Sequence, residues 1–132
     1  MHAYEWALLR VVPRVERGEI VNAGVVVYCG PLDYLAAAVT ADLERVQALD
    51  PAADTEAIRR HLATVVDVCA GAPAAGPLGG LSLRERFGWL VAPRSTVVQT
   101  SPVHTGLTTD PARELDRLME LMVHPGAGAD EP

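Results

Sequence analysis

The sequence predicts an α+β fold: a mostly antiparallel sheet of about four strands, opened by an N-terminal β-hairpin, with roughly three to four helices packed on it. Strand-like segments are grouped near the start of the chain, and helix-like segments follow without βαβ alternation. The length of 132 residues and the 49% hydrophobic content suit one domain. We expect a single domain over residues 1–123 and a disordered tail over residues 124–132.

The opening hairpin has the strongest strand signal. Residues 4–12 and 20–28 are rich in bulky and β-branched side chains. The polar segment between them contains Pro13, which cannot donate a ladder hydrogen bond, and Gly18, which tolerates positive φ. Because both strands are apolar on both faces, the hairpin is expected at the centre of the sheet.

A third strand and a short helix are predicted next. Residues 34–40 follow a Gly-Pro turn and are apolar, although their alanines disfavour a strand. Thr40 or Asp42 is the candidate cap of a short helix that ends at Leu49. Asp50 and the proline after it close that helix.

The clearest helix signal lies between Asp54 and Cys69. Its apolar side chains recur at helical spacing, and they are Ile58, Leu62, Val65, Val66 and Cys69. Gly71 is placed to end the helix. Residues 70–81 have no periodicity and are rich in glycine and proline, which predicts a loop.

Two further helices are predicted from their caps. Ser82 and Glu85 have the spacing of a capping box, and the helix that they open ends before Pro93. Residues 94–100 then predict a strand that runs into a turn. An Asp-Pro pair begins the last helix at residue 110, and its buried stripe is Leu115, Leu118, Met119 and Met122.

The charge balance and the apolar runs restrict the classes of protein. A net charge of −6 makes a nucleic-acid partner unlikely on physical grounds, because phosphate binding relies on a basic surface. The first ten residues carry charge and lack a signal-peptide core. No apolar run reaches the ~20 residues that span a bilayer. We expect a cytoplasmic protein with no membrane partner.

Metal and disulfide sites are not expected. Cys29 and Cys69 are isolated, and nothing else in the sequence indicates secretion, so reduced thiols are predicted. Neither cysteine belongs to a C-x-x-C pair, and the histidines are scattered. The sequence therefore predicts no metal and no cofactor.

The segment over residues 92–106 is the first candidate binding site. It gathers several polar side chains around a short Val-Val core, namely Arg94, Ser95, Gln99, Ser101 and His104. Arginine offers a bidentate fork, and hydroxyls add hydrogen bonds, so this set suits an anion. The alternative interpretation is a polar edge strand that ends in a turn stabilised by serine and threonine. Both interpretations stay open at this point.

The hairpin supplies a second candidate group. Arg10 and Asn22 are polar residues in strands built for burial, and each needs a partner. One possibility is an internal ion pair such as Arg10 with Glu19. The other is that Arg10 and Asn22 face the same cleft as Arg94.

Catalysis has only weak support in the sequence. Ser101 and His104 suggest a hydrolase, with His104 as the base and the single catalytic candidate. However, Ser101 precedes a proline and does not lie in a Gly-x-Ser-x-Gly elbow. No acidic residue is placed by the sequence to orient the histidine. The chain is therefore interpreted as more consistent with a protein that is not an enzyme.

Three segments together resemble a known family. They are YEWALLRVVP with RGEIVNAGV, then LRERFGWL, and finally APRSTVVQTSPVHTG, which together span most of residues 4–122. The pattern is similar to the family called domain of unknown function 3037, with Asn22-Ala23-Gly24 where Asn-Val-Gly is expected. The resemblance implies no activity. It implies bacterial proteins that are often encoded beside HipA-like kinases.

Two functional hypotheses follow. The first is a non-catalytic interaction or accessory module whose partner is a HipA-like kinase, with a homodimer as a further possibility. The second is an enzyme or a binding protein for an anionic, phosphorylated small molecule. In that case Arg94 and Arg10 would bind charge, Ser95 and Gln99 would orient the ligand, and His104 would transfer the proton. The second hypothesis requires these groups to share one cleft.

Overall fold

The computed structural model describes residues 1–94 and 96–124 and confirms the α+β class. Ser95 lies outside these residues, and so do residues 125–132 of the tail predicted over residues 124–132. The strands and α-helices in chain order are β1 (His2–Val11), β2 (Val21–Cys29), β3 (Tyr34–Val39), α1 (Glu44–Leu49), α2 (Thr55–Ala70), α3 (Leu83–Val91), β4 (Val98–Thr100), β5 (His104–Thr108) and α4 (Pro111–Met122). Short 3-10 segments lie at Gly30–Leu32 and Pro73–Gly80.

The strands form one antiparallel sheet with the order β3-β2-β1-β4, and β5 also pairs with β1. Strand β4 lies beside the end of β1 at Val11, and β5 lies beside its start at His2. The two short strands are therefore successive parts of one sheet edge. The predicted central position of the hairpin is confirmed, because β1 and β2 lie between β3 and this edge.

A β-bulge in the hairpin places Asn22 directly opposite Arg10. Leu9 pairs with Gly24 and Arg10 pairs with Asn22, so Ala23 is the extra residue of β2. A side chain at Gly24 would lie 2.6 Å from the carbonyl oxygen of Ala38. Glycine is required there because the backbone of β3 approaches closely.

Helices cover both faces of the sheet. Helices α1, α2 and α3 pack on one face, where the core contains Ala7, Leu9 and Val11 of β1. Helix α4 packs on the other face, where the core contains Tyr4 and Leu8 of β1. These positions alternate along β1 as a regular strand requires.

The two cysteines belong to these separate cores. Cys29 lies in the core on the α4 side, and Cys69 lies in the core on the α2–α3 side. Both thiols are buried and free. A disulfide between them would have to cross the sheet, which agrees with the prediction of reduced thiols.

The helix caps mostly follow the sequence. Asp54 accepts a hydrogen bond from the Ala57 N–H at 3.0 Å, and the Ser82 capping box is complete. Asp110 accepts from the Arg113 N–H at 3.1 Å. Helix α1 corrects the prediction of Thr40 or Asp42 as its cap, because Leu43 is the N-cap. The side chain of Asp42 accepts a hydrogen bond from the N–H of Glu44, the first residue of the helix. No single helix among the described residues is long and apolar enough to cross a membrane.

Strand β5 differs from the sequence prediction. The turn expected after residue 100 contains a second edge strand, while the strand expected from residue 94 begins only at Val98. The segment that forms β5 is polar and mostly exposed. It is ordered by a ladder to the first half of β1, and the ring of Tyr4 lies over Gly106, where a side chain would come within 2.7 Å of that ring. Such long-range pairing leaves no local signal.

Arg86 is a buried cation that the sequence did not single out. Its side chain is 9% exposed and lies at the end of α2. Nη1 donates to the carbonyls of Val68 and Cys69 at 2.9 and 2.8 Å, and Nε donates to the carbonyl of Leu81 at 3.0 Å. Arg86 therefore binds the orphan carbonyls of α2 and the end of the glycine-rich loop together.

Candidate functional site

Arg10 lies on the α4 side of the sheet, between Asn22 of β2 and Gln99 of β4. Residues directly opposite each other in an antiparallel sheet project from the same face, so these three side chains are neighbours. The Nε atom of Arg10 is buried and has no hydrogen-bond partner among the described residues. Glu19, the partner suggested by the sequence, pairs instead with Arg17 at 2.6 Å.

Asn22 is occupied at the end of α4. Its Nδ2 donates to the carbonyl of Met122 at 3.1 Å. Arg45 reaches the same helix end, where its Nη2 donates to the carbonyl of Val123 at 2.9 Å. Both side chains satisfy carbonyls that a helix leaves without partners at its C-terminus. Asn22 therefore has a structural contact in the position where the sequence suggested a ligand.

Gln99 and Thr96 stabilise the turn that leads into β4. The Nε2 of Gln99 donates to the carbonyl of Thr96 at 2.7 Å. The hydroxyl of Thr96 donates to the carbonyl of Val98 at 2.6 Å. In these contacts the side chains of the edge segment bond to its own backbone carbonyls. This pattern is typical of a polar edge strand beside a turn, which was the alternative interpretation to an anion site.

Ser101 is part of the β-ladder. It is 3% exposed, its Oγ accepts from the Leu8 N–H at 2.8 Å, and its hydroxyl donates to the carbonyl of Pro102 at 2.9 Å. The edge bulges here, because Ser101, Pro102 and Val103 lie opposite Ala7 and Leu8 between two regular pairs. The hydroxyl replaces a backbone carbonyl and is not placed to act as a nucleophile.

His104 is exposed and packs against Trp6. The two residues are direct partners in the β1–β5 ladder, and their ring centroids are 4.5 Å apart. His104 therefore lies on the α4 side, the same face as Arg10. Since Trp6 and Arg10 are four positions apart on β1, the distance along the strand is about 13 Å.

Arg94 lies on the opposite side of the sheet. Its Nη2 donates to the carbonyl of Trp89 at 2.6 Å, and its guanidinium lies 4.2 Å from the centre of the Trp89 ring. It binds the C-terminal end of α3, whose Leu90 belongs to the core on the α2–α3 side. The pKa of His61 is lowered by burial and, secondarily, by the charge of Arg94. Arg94 and His104 are thus separated by the sheet.

Helix α4 does not cover the whole of its face of the sheet in the described part of the chain. It packs mainly over β2 and β3, and it reaches β1 at Tyr4 and Leu8. A helix is about 10 Å wide and strands are about 4.8 Å apart, so one helix covers about two strands. The edge strands and the part of β1 beside them lie at the margin of this cover. We call this surface the β1 shelf, and it is formed by Trp6, Arg10, Gln99 and His104.

The carboxylate of α4 that lies beside Tyr4 is already paired. Glu114 of α4 accepts hydrogen bonds from the Tyr4 hydroxyl at 2.8 Å and from Arg117 Nε at 3.0 Å. The hydrogen bond from Arg117 is the main cause that lowers the pKa of Glu114, so this carboxylate stays ionised and paired. Arg10 has no carboxylate of its own among the ion pairs of the described residues.

No group of three or more potential metal ligands occurs among residues 1–94 and 96–124. Burial raises the pKa of the Cys69 thiol to about 12. A thiol with so high a pKa is a poor ligand and a poor nucleophile at neutral pH.

A family model described as protein of unknown function (DUF3037) matches residues 6–123. The chain belongs to this family. The matched region begins at Trp6 and contains every member of the β1 shelf. Comparison with curated proteins and with solved structures gave no match. Because the family description names no activity, the function of the chain has to be argued from its surfaces.

Proposed function

We propose that this domain is a non-catalytic, cytoplasmic interaction module that binds a protein partner through the β1 shelf. The observation that carries the proposal is this partly uncovered surface, on which Trp6 packs against exposed His104 and the Nε of Arg10 has no acceptor among the described residues. Tryptophan and arginine are the side chains that most often dominate binding energy in protein interfaces.

The contacts of the other candidate residues support an interaction module over an enzyme. The Ser101 hydroxyl is occupied within the sheet, and the Asn22 amide is bonded to the end of α4. The Arg94 guanidinium is bonded to the end of α3. Side chains that maintain the fold in this way are not poised to bind a substrate.

The alternative, a protein that binds a phosphorylated small molecule, has less support. It needs Arg94 and His104 in one hollow, and these residues lie on opposite sides of the sheet. Arg10, Asn22 and Gln99 are adjacent, but the amides of Asn22 and Gln99 already donate to backbone carbonyls. No specific observation favours a catalytic role for His104.

The proposed partner is a HipA-like kinase. The support is the resemblance described above, which implies that relatives of this chain are often encoded beside such kinases. A kinase-binding accessory module needs a rigid scaffold with one exposed recognition surface and no catalytic group of its own. A second copy of this chain on the same shelf is the competing occupant, and the experiment below separates the two.

Co-expression of the full chain with a HipA-like kinase tests this proposal. We expect the two proteins to purify together at equal stoichiometry. Trp6→Ser should abolish co-purification, whereas Trp89→Ser should retain it, because Trp89 is 43% exposed but lies on the other side of the sheet. Thermal melting confirms that both variants fold.

Three outcomes contradict the proposal. The first is recovery of the domain alone under mild conditions. The second is loss of the kinase in Trp89→Ser but not in Trp6→Ser. The third is a stable homodimer that Trp6→Ser dissociates and that does not bind the kinase, since the shelf would then be a contact between copies of this chain.

A further inference from the structure

We propose that Arg10 is the receptor for a carboxylate on an acidic segment of the protein partner. This inference rests on the proposed function and names the chemistry that the β1 shelf recognises. The β1 shelf would bind a segment in which a carboxylate reaches Arg10 while an apolar side chain covers Trp6 and His104.

The first argument is the state of the guanidinium. Its Nε is buried without a hydrogen-bond partner among the described residues. Buried donors in folded proteins are nearly always paired, so an unpaired one requires an explanation. Nε and a terminal nitrogen of arginine form the fork that binds a carboxylate through two parallel hydrogen bonds. Because Nε itself is buried in the free chain, the guanidinium would have to turn outward as a carboxylate binds, and the carboxylate would then supply the acceptor that Arg10 lacks.

The second argument is that the ion pairs of the described residues leave Arg10 without a carboxylate. Glu19, the partner that the sequence suggested, binds Arg17 at 2.6 Å. The side-chain nitrogens of Asn22 and Gln99, which flank Arg10, donate to backbone carbonyls. The charge of Arg10 is thus left for a group from outside the described residues.

The third argument is charge complementarity. The chain has a net charge of −6, yet the β1 shelf carries Arg10, which forms no ion pair among the described residues. A cationic side chain on this surface of an acidic protein favours a carboxylate on an otherwise apolar segment. It disfavours a nucleic acid, whose repeated phosphates would meet the negative remainder of the surface.

The spacing restricts the partner further. Arg10 and Trp6 project from the same face of β1 about 13 Å apart. The partner segment should therefore carry an acidic side chain and a large apolar side chain at a similar separation. Such a pairing of one apolar anchor with one desolvated charge pair is typical of specific protein interfaces.

An NMR titration of the isolated chain tests the carboxylate site without the kinase. The Nε–H resonance of Arg10, assigned by its loss in Arg10→Lys, is followed while short poly-glutamate is added at constant ionic strength. We expect a saturable shift of this resonance and no matching shift at Arg60, an exposed arginine on α2. A linear change equal to that caused by sodium chloride overturns the inference. So does a larger saturable shift with inorganic phosphate or with polyuridylate.

The complex with the kinase supplies the second readout. Arg10→Met should weaken binding at least about 10-fold, because it removes one member of a desolvated charge pair. Arg60→Met should leave the affinity unchanged. If Trp6→Ser abolishes binding while Arg10→Met does not alter it, the carboxylate inference is overturned and the proposed function stands. If poly-glutamate binds saturably but the kinase does not bind, the proposed partner is overturned and the carboxylate site stands.

Discussion

Ser101 closes the ladder of strand β1 with its side chain, because its Oγ accepts the Leu8 N–H at 2.8 Å while its own N–H donates to the Leu8 carbonyl at 2.9 Å. The edge bulges at this point, and a backbone carbonyl would not reach the Leu8 N–H. A serine that resembled a nucleophile in the sequence is thus a structural residue that joins β4 to β5.

Removal of this hydroxyl should destabilise the fold. Ser101→Ala leaves the buried Leu8 N–H without an acceptor, and we expect a loss of about 1–3 kcal/mol in the free energy of unfolding. Thr105→Ala is the matched control, because Thr105 is exposed on the same edge and should change stability by less than about 0.5 kcal/mol. Urea denaturation measures both. Equal stability of Ser101→Ala and the wild type would contradict the role assigned to the hydroxyl.

Arg86 should be a larger contributor to stability. Arg86→Met keeps the aliphatic volume but removes the donors to the carbonyls of Val68, Cys69 and Leu81. We expect a loss of about 3 kcal/mol, because hydrogen bonds from a charged donor are strong and the buried carbonyls would be left unpaired. Arg60→Met, on the exposed surface of α2, should be close to neutral. A similar small effect for both variants would show that Arg86 does not hold the end of α2.

Two glycines should respond in opposite directions to alanine. Gly24→Ala places a methyl group 2.6 Å from the Ala38 carbonyl oxygen, so β2 and β3 must separate, and we expect a loss of about 1–3 kcal/mol. Gly88→Ala meets no atom within 4 Å and lies within α3, so it should stabilise the protein by about 0.5–1 kcal/mol. Urea denaturation measures both variants. Tolerance of Gly24→Ala would contradict the register of the β2–β3 pair, and destabilisation by Gly88→Ala would contradict the open space around Gly88 in α3.

The thiol of Cys69 should resist alkylation and make stability sensitive to alkaline pH. Burial raises its pKa from 9.0 to about 12, so the folded protein keeps the proton while the unfolded chain loses it. The contribution to stability is complete below about pH 9 and declines as the pH rises from there toward 12. We expect iodoacetamide to modify Cys69 at pH 8 only in urea. Urea titrations should show a steeper alkaline loss in the wild type than in Cys69→Ala, and equal slopes would contradict the assigned pKa.

The sequence was sufficient for the elements with local signals. The hairpin, the long helix from Asp54 and the capping box at Ser82 all followed from spacing and caps within a few residues. Strand β5 did not, because its order depends on pairing with residues at the other end of the chain. The role of Arg86 was missed for the same reason, since its acceptors lie in a different helix.

The sequence identified polar residues for a candidate site, but it did not show which of their side chains lie together. Only the sheet order brings Gln99 beside Arg10. Nothing in the sequence indicated that Arg94 would bind the end of α3 on the other face.

Hydrogen–deuterium exchange of the full chain, alone and mixed with the HipA-like kinase, tests most directly whether the β1 shelf is the binding surface. We expect the kinase to slow amide exchange in residues 98–108, the sheet edge that carries Gln99 and His104, and to leave amide exchange in α2 unchanged. Protection confined to α2 and α3, or no protection anywhere, would contradict it.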